Sequence, residues 1–328
     1  MYQMMSLPLY SGTLGEYNSW RDLGQELERL GCDGIEGVWG GEDLPKDLPA
    51  ELILGYHLIF YPDWLDFYRD DRAALKQKFG SLEVTASFYG GLGPDTLLEQ
   101  YRADLRRAVN LGARYVVFHV SDVSLEEGYT YRWLHTNQEV IDAAVEVVNL
   151  ILGEERWPFE FLVENQWWPG FTFTEPEETA RLLEGIRFAG KGILLDTGHL
   201  MNACTELKTE AEGADYIRRM LNRHGSLAKW VRGVHLHQSL SGAYVKAHTG
   251  SLPAGLPEDY MERFGVSYQH ILQIDQHRPW TDPAILPVLE QIEPRYLTHE
   301  LSSRGRMARA EAVSVQTRLL QQGGRMRV

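Results

Sequence analysis

"GILLDTGHLMN", residues 192–202, begins as a buried strand and changes character at Asp196, with His199 three positions on. Small and apolar residues from Gly192 to Leu195 suit a strand covered on both faces, the kind found in parallel sheets. A carboxylate at the end of such a strand is unfavourable unless something neutralises it. The same ending recurs along the chain. His57 closes "LILGYHL" (52–58), His119 closes "RYVVFHV" (114–120) and Glu164 closes "FEFLVEN" (159–165). His235 falls in "VRGVHLH" (231–237) and Glu300 in "RYLTHEL" (295–301).

Two further strand-like runs, "MMSLPLY" (4–10) and "DGIEGV" (33–38), bring the number to eight. Between the strands lie amphipathic stretches of helical period: 16–30, 63–79, 95–111, 137–152, 176–188, 213–224, 282–291 and 305–321. Pro176 in "TEPEET" and Pro283 in "TDPAIL" mark helix starts, since a first-turn proline gives up no helical hydrogen bond. Repeated strand–helix units require parallel strands and right-handed crossovers. Eight of each predict an α/β fold, a single closed (β/α)8 barrel over residues 1–328. Two connections, 80–94 and 238–281, are too long for turns and are expected as binding loops or lids at the barrel mouth.

A hydrophobic content of 44% with nine Trp and sixteen Tyr supports one large core. The formal net charge of −14 opposes a nucleic-acid partner, because a phosphate backbone would be repelled at long range. The basic residues around Arg304–Arg309 and Arg325–Arg327 read as a solvated helix face or a tail. Cys32 and Cys204 have no metal-type spacing and offer no disulfide framework, which suits a reducing cytoplasm. No secretory leader pattern and no run of ~18 apolar residues is present. A cytoplasmic location is the expectation.

Side chains alternate faces along a strand, so parity tells which residues point inward. Glu164 shares a face with Leu162, Asp196 with Leu194, His235 with His237, and Glu300 with Thr298. At the C-terminal ends of barrel strands, inward groups converge on one mouth. His57, His119, Glu164, Asp196, His235 and Glu300 would therefore meet there, with His199 and His248 on following loops. Singly, each would pass for a hydrogen-bonded surface group. Together, with matching parity, they call for a divalent cation to offset their charge. His299 has the opposite parity and should face the helices, while His135, His224, His270 and His277 read as surface residues.

The segments "FLVENQ", "LLDTGHLMN", "RGVHLHQS" and "YLTHE" resemble the strand ends of the xylose isomerase-like TIM barrels. That superfamily includes sugar isomerases, ketose 3-epimerases, inositol-catabolism enzymes and endonuclease IV. The resemblance implies that Glu164, Asp196, a seventh-strand histidine and Glu300 hold one divalent ion. "RGVHLHQ" favours His235 as that histidine, with His237 as a second ligand or a substrate contact. By the same likeness His199 would hydrogen-bond the substrate. The endonuclease pattern would recruit His57, His119, His199 and His248 for further ions. The acidic residue expected two places before the loop histidine is replaced by Lys246 in "VKAH", which argues against a full trinuclear cluster and leaves one or two metals.

The resemblance makes the leading expectation a metal-dependent sugar isomerase or epimerase working through an enediolate. Glu164 and Glu300 would serve as both ligands and acid/base pair, with His199 also in the catalytic set. Oxygen-rich ligation suits Mn, Mg or Co, and added histidines tilt the choice to Zn. Trp39, Trp167, Trp168 and inward Glu36 are candidate substrate contacts for a carbohydrate-sized small molecule. One alternative is an endonuclease IV-like zinc phosphodiesterase acting at abasic sites in DNA. The other is a barrel that binds a metal and a sugar without turnover. Membrane attachment is not expected, and segment 238–281 could serve a homo-oligomer contact.

Overall fold

The structure is a computed structural model describing residues 1–323. Eight parallel strands form a closed barrel in chain order. They are β1 (Tyr2–Leu9), β2 (Gly34–Trp39), β3 (Ile53–His57), β4 (Tyr115–His119), β5 (Glu160–Glu164), β6 (Lys191–Asp196), β7 (Val231–His235) and β8 (Tyr296–His299). Helices follow the strands, so the predicted (β/α)8 architecture is the observed one.

Local chemistry accounts for the helix limits. The helix Asn137–Leu152 matches its predicted span because Thr136 and Glu139 form a reciprocal cap at its start. Thr209 and Glu212 do the same for Glu210–His224. Trp20–Leu30 starts later than expected, since Ser19 caps it by accepting from Asp22 N, and it ends at Gly31 with φ 74°. The predicted 63–79 helix splits in two at Asp70, whose φ of 51° is incompatible with a continuous helix. Segment 80–94 is largely helical, Leu82–Tyr89, and lies between two helices rather than after a strand.

Parity sorts the strand side chains. Met4, Leu54, Tyr115, Val117, Leu162, Leu194 and Tyr296 fill the barrel interior. Their neighbours of opposite parity, such as Phe161, Ile193, Leu195 and Leu297, join the larger core between sheet and helices. Gly55 makes room for the Tyr115 ring, since a Cβ there would lie 2.3 Å from it.

Segment 238–281 leaves the barrel and returns to it. Gln238 and Arg278 pair their backbones in an antiparallel bridge, and between them run the helices Gly242–His248 and Tyr260–Ile274. Beyond the bridge, fully buried Trp280 donates its indole N–H to the His237 carbonyl at 2.8 Å.

Two arginines of the basic cluster near residue 304 are committed to ion pairs. Arg306 pairs with Asp22 and Glu26, and Arg309 with Glu16. Arg325 and Arg327 lie outside the described residues. Among the described residues no helix is long and apolar enough to cross a membrane.

Candidate metal centre

Glu164 ends β5 fully buried, and histidines surround both of its oxygens. Oε2 lies 3.4 Å from His57 Nε2, 3.3 Å from His119 Nε2 and 3.5 Å from His235 Nδ1. Oε1 lies 3.0 Å from His199 Nδ1. His57 turns Nδ1 toward the Leu58 carbonyl at 2.8 Å, leaving Nε2 to face His119 Nε2 at 3.0 Å. Two imidazole nitrogens that close must share a proton or a cation.

Asp196 ends β6 and caps the helix Thr197–Asn202, accepting from His199 N through Oδ1 at 2.6 Å. This explains the "DTGH" spacing: the carboxylate that ends the strand also starts the helix that carries the histidine. Asn165 clasps the Asp196 backbone in both directions, at 2.8 and 3.0 Å, locking the ends of β5 and β6 together. His237 Nε2 reaches Asp196 Oδ2 at 2.8 Å. His235 presents Nδ1 to Glu300 Oε2 at 2.7 Å.

A second group lies on the far side of Asp196. His199 Nε2 is 3.2 Å from Asp275 Oδ2, and His277 Nε2 is 2.6 Å from the same oxygen. The rings of His237 and His277 stack with centroids 4.1 Å apart.

Four groups could each hold a metal ion, with donor atoms within 4.8 Å of one another: His57/His119/Glu164, Glu164/Asp196/His235, Asp196/His237/Glu300 and His199/His237/Asp275/His277. The donors fit divalent cations on a second ground. Glu164 Oε2, His237 Nδ1 and Asp275 Oδ1 are buried with no hydrogen-bond partner. Each such atom costs about 1–3 kcal/mol if left unsatisfied, and cations held within these sets would satisfy them.

Electrostatics inside the cluster is mutual. Burial opposes charge on Glu164, yet His119 and His235 hold its carboxyl well below the usual range. Burial likewise acts against Glu300, but His235 brings it down to about 2. Burial disfavours the His277 cation, and Asp275 overrides that to push it up to about 9. His199 and His235 are raised against burial, chiefly by Asp196 and by Glu300 respectively. Carboxylates and imidazoles are thus poised as ions, and a metal would displace the imidazole protons.

Several sequence expectations change. His248 is exposed and stacks on Tyr244 at 4.1 Å, away from the cluster. It sits on the outer helix Gly242–His248, so it is not the loop ligand. The loop residues that join the cluster are Asp275 and His277, the latter expected at the surface. Lys246, which argued against a third ion, pairs with Glu206 at 2.7 Å with both groups open to solvent. Its objection therefore falls. His224 and His270 are also buried, held by Thr179 and the Met220 carbonyl, and by Tyr244 and the Gly128 carbonyl.

Trp39 is not a substrate contact: Arg107 covers its ring at 3.7 Å and its N–H donates to the Glu42 carbonyl. Glu36 is sealed beneath the cluster with no exposure. It accepts from Tyr115 Oη at 2.6 Å and Thr298 Oγ1 at 3.0 Å, and its Oε1 lies 2.9 Å from His235 Nε2. That places it as a positioning residue that orients His235, leaving Nδ1 for ligation. Glu36→Gln should weaken metal binding by about 10–100-fold with the fold retained. Competition with a chromophoric chelator measures this, and unchanged affinity would remove the assignment.

Above the cluster opens a cavity of about 1270 Å³, walled by Phe60, Tyr61, Trp167, Trp168, Phe264 and Tyr268. Trp167 lies 5.1 Å from the His199 ring, so the aromatic wall adjoins the ligands.

Residues 25–288 match the family model of the xylose isomerase-like TIM barrel. The chain belongs to that family. No curated protein sequence matches this family member. Solved structures of similar fold span nearly the whole barrel. A D-tagatose 3-epimerase-like protein is 15% identical, with 99% of this chain and 98% of that one covered, at a TM-score of 0.53. Endonuclease IV from Thermus thermophilus is 16% identical over 98% and 100%, at 0.54. Mannonate dehydratase from Streptococcus suis serotype 2 is 14% identical over 99% and 94%, at 0.53. At such identities the barrel fold is what these chains share, and the chemistry of this one has to be argued from its site.

Proposed function

We propose that this chain is a hydrolase that uses a polynuclear divalent-metal centre to cleave a phosphoester bond in a small organic substrate. The observation that carries the reading is Asp275 with His277 beside His199, which adds a ligand set beyond those a one-ion proton-transfer site needs. Glu164 and Asp196 each belong to two sets, so each carboxylate has donors for two neighbouring ions. Six histidines across the sets favour zinc over magnesium.

Ions bound there would supply positive charge against the phosphate oxygens and lower the pKa of water at the site. The protein's own groups do the rest. Glu300, its side chain 19% exposed and facing the cavity, is placed to take a proton from attacking water. Gln166 holds Nε2 3.0 Å from His199 Nδ1 and fixes that ring. Trp167 and Trp168 exclude solvent from one side. The net charge of −14 and the locally neutralised arginines favour a small substrate over duplex DNA.

The isomerase or epimerase reading is retained on one observation. Glu164 and Glu300 both approach His235 Nδ1, from β5 and from just beyond β8, and could bracket a sugar carbon. Zinc- or manganese-loaded protein tested on bis(p-nitrophenyl) phosphate and on a ketohexose panel decides between them. Nitrophenol release is the expected result. Ketose epimerisation without it would transfer the assignment to the second reading, and neither activity would sink both.

A further inference from the structure

We infer that the substrate is a phosphoester carrying a bulky apolar ester group, of benzyl size or larger, bound against a wall of Phe60, Tyr61, Phe88 and Phe264. This rests on the phosphoester reading above and names the substrate class for it.

The cavity is divided by polarity. Its floor carries imidazoles and carboxylates of the cluster, among them His57, His119, His199, Asp275 and Glu300. One side is formed by the loop after β3 and by the helices Leu82–Tyr89 and Tyr260–Ile274. Among the described residues, those three segments send no carboxylate, amide, lysine or arginine into the cavity. Tyr61 commits its hydroxyl to Gln100 at 2.6 Å. His270 is occupied by Tyr244 and the Gly128 carbonyl, which leaves the hydroxyls of Ser267 and Tyr268 as the polar side-chain groups of that side. A sugar placed there would give up hydration at most of its hydroxyls without gaining partners. An apolar group leaves water at a gain.

The wall is continuous. Tyr61 meets Phe88 with ring centroids 5.9 Å apart, and Phe88 meets Phe264 at 5.4 Å, so three separate segments present one aromatic surface. Phe60 extends it to the cluster. It is 49% exposed although it lines a concavity, so its ring is free to receive a ligand. Its centroid lies 4.5 Å from the His119 ring and 5.8 Å from the His57 ring. Those imidazoles hold Nε2 at 3.3 and 3.4 Å from Glu164 Oε2. An apolar group seated on Phe60 therefore lies next to the donors that would hold the ions.

Volume agrees with polarity. At about 1270 Å³ the cavity exceeds the roughly 300–1,000 Å³ of ordinary small-molecule pockets. A phosphate with a methyl-sized substituent would leave the aromatic side in water.

The test uses the full chain loaded with zinc and two diesters that share a leaving group, methyl p-nitrophenyl phosphate and benzyl p-nitrophenyl phosphate. Each methylene taken out of water is worth about a fourfold change, so kcat/KM should favour the benzyl ester by at least about thirtyfold. Phe60→Ala and Phe264→Ala should each cut that preference by about tenfold, with the loss in KM. Calorimetry with benzylphosphonate and methylphosphonate, which offer no ester to cleave, should show the same order of affinity. Both diesters hydrolysed with equal kcat/KM would overturn the apolar subsite and leave the phosphoester reading intact. Nitrophenol release from neither overturns the phosphoester reading, and the phosphonates then decide the subsite alone, equal affinities overturning it as well. If a variant does not fold, the wild-type comparison still decides.

Discussion

Glu164→Gln is expected to lower turnover by at least about a thousandfold and to reduce the metal content of the protein. Glu164 belongs to two ligand sets, and its two oxygens lie within 3.5 Å of His57, His119, His199 and His235. Glutamine keeps the shape but removes the negative charge, so the surrounding imidazoles lose their common counter-ion. It also replaces one acceptor oxygen with a donor aimed at nitrogens that must stay free for ligation. The variant should fold, because most of the barrel interior below, Met4, Leu54, Val117, Leu162 and Leu194, is apolar. Elemental analysis and steady-state kinetics on the same preparation check the claim. Full metal content together with full activity in Glu164→Gln would be fatal to it.

The second large effect concerns stability against acid. His299 is buried on the helix side of β8. It accepts from Gln316 Nε2 at 2.7 Å, and burial pushes its pKa down from 6.5 to about 3. As pH falls below 6.5 the unfolded chain takes up a proton at this residue while the folded chain does not. The contribution is therefore complete above pH 6.5 and is lost progressively as pH falls to about 3, up to about 5 kcal/mol. His299→Gln removes this titration. Between pH 7 and pH 4.5 the urea midpoint should fall farther for wild type than for the variant. Equal falls would show that His299 does not set the acid sensitivity.

Most of the barrel was legible because its signals are local and repeated. Each strand from "GILLDT" to "RYLTHEL" carries its own apolar run, and the residues at their ends share one parity, which sends Glu164 and Asp196 inward and His299 outward. Loop ligands have no such periodicity. Asp275 and His277 sit in "IDQHRPW", where nothing local predicts an inward direction. A usable signal was present: an acidic residue two places before a loop histidine, sought at Lys246 and found at Asp275. The Gln238–Arg278 bridge brings that stretch beside β7. Trp39 and Glu36 were misread for a related reason. Strand parity gives the face of the sheet but not the height along the barrel axis. It also gives no sign of a long side chain such as Arg107 covering a ring.

The bridge between Gln238 and Arg278 has an evolutionary corollary. Its backbone hydrogen bonds, 2.8 and 3.1 Å, hold the two ends of the excursion side by side whatever lies between them. The entropy of closing the loop grows only slowly with its length, so the stretch from 242 to 274 can lengthen, shorten or be exchanged as a cassette. Descendants of this scaffold can therefore acquire new recognition there while the inherited reaction centre stays as it is.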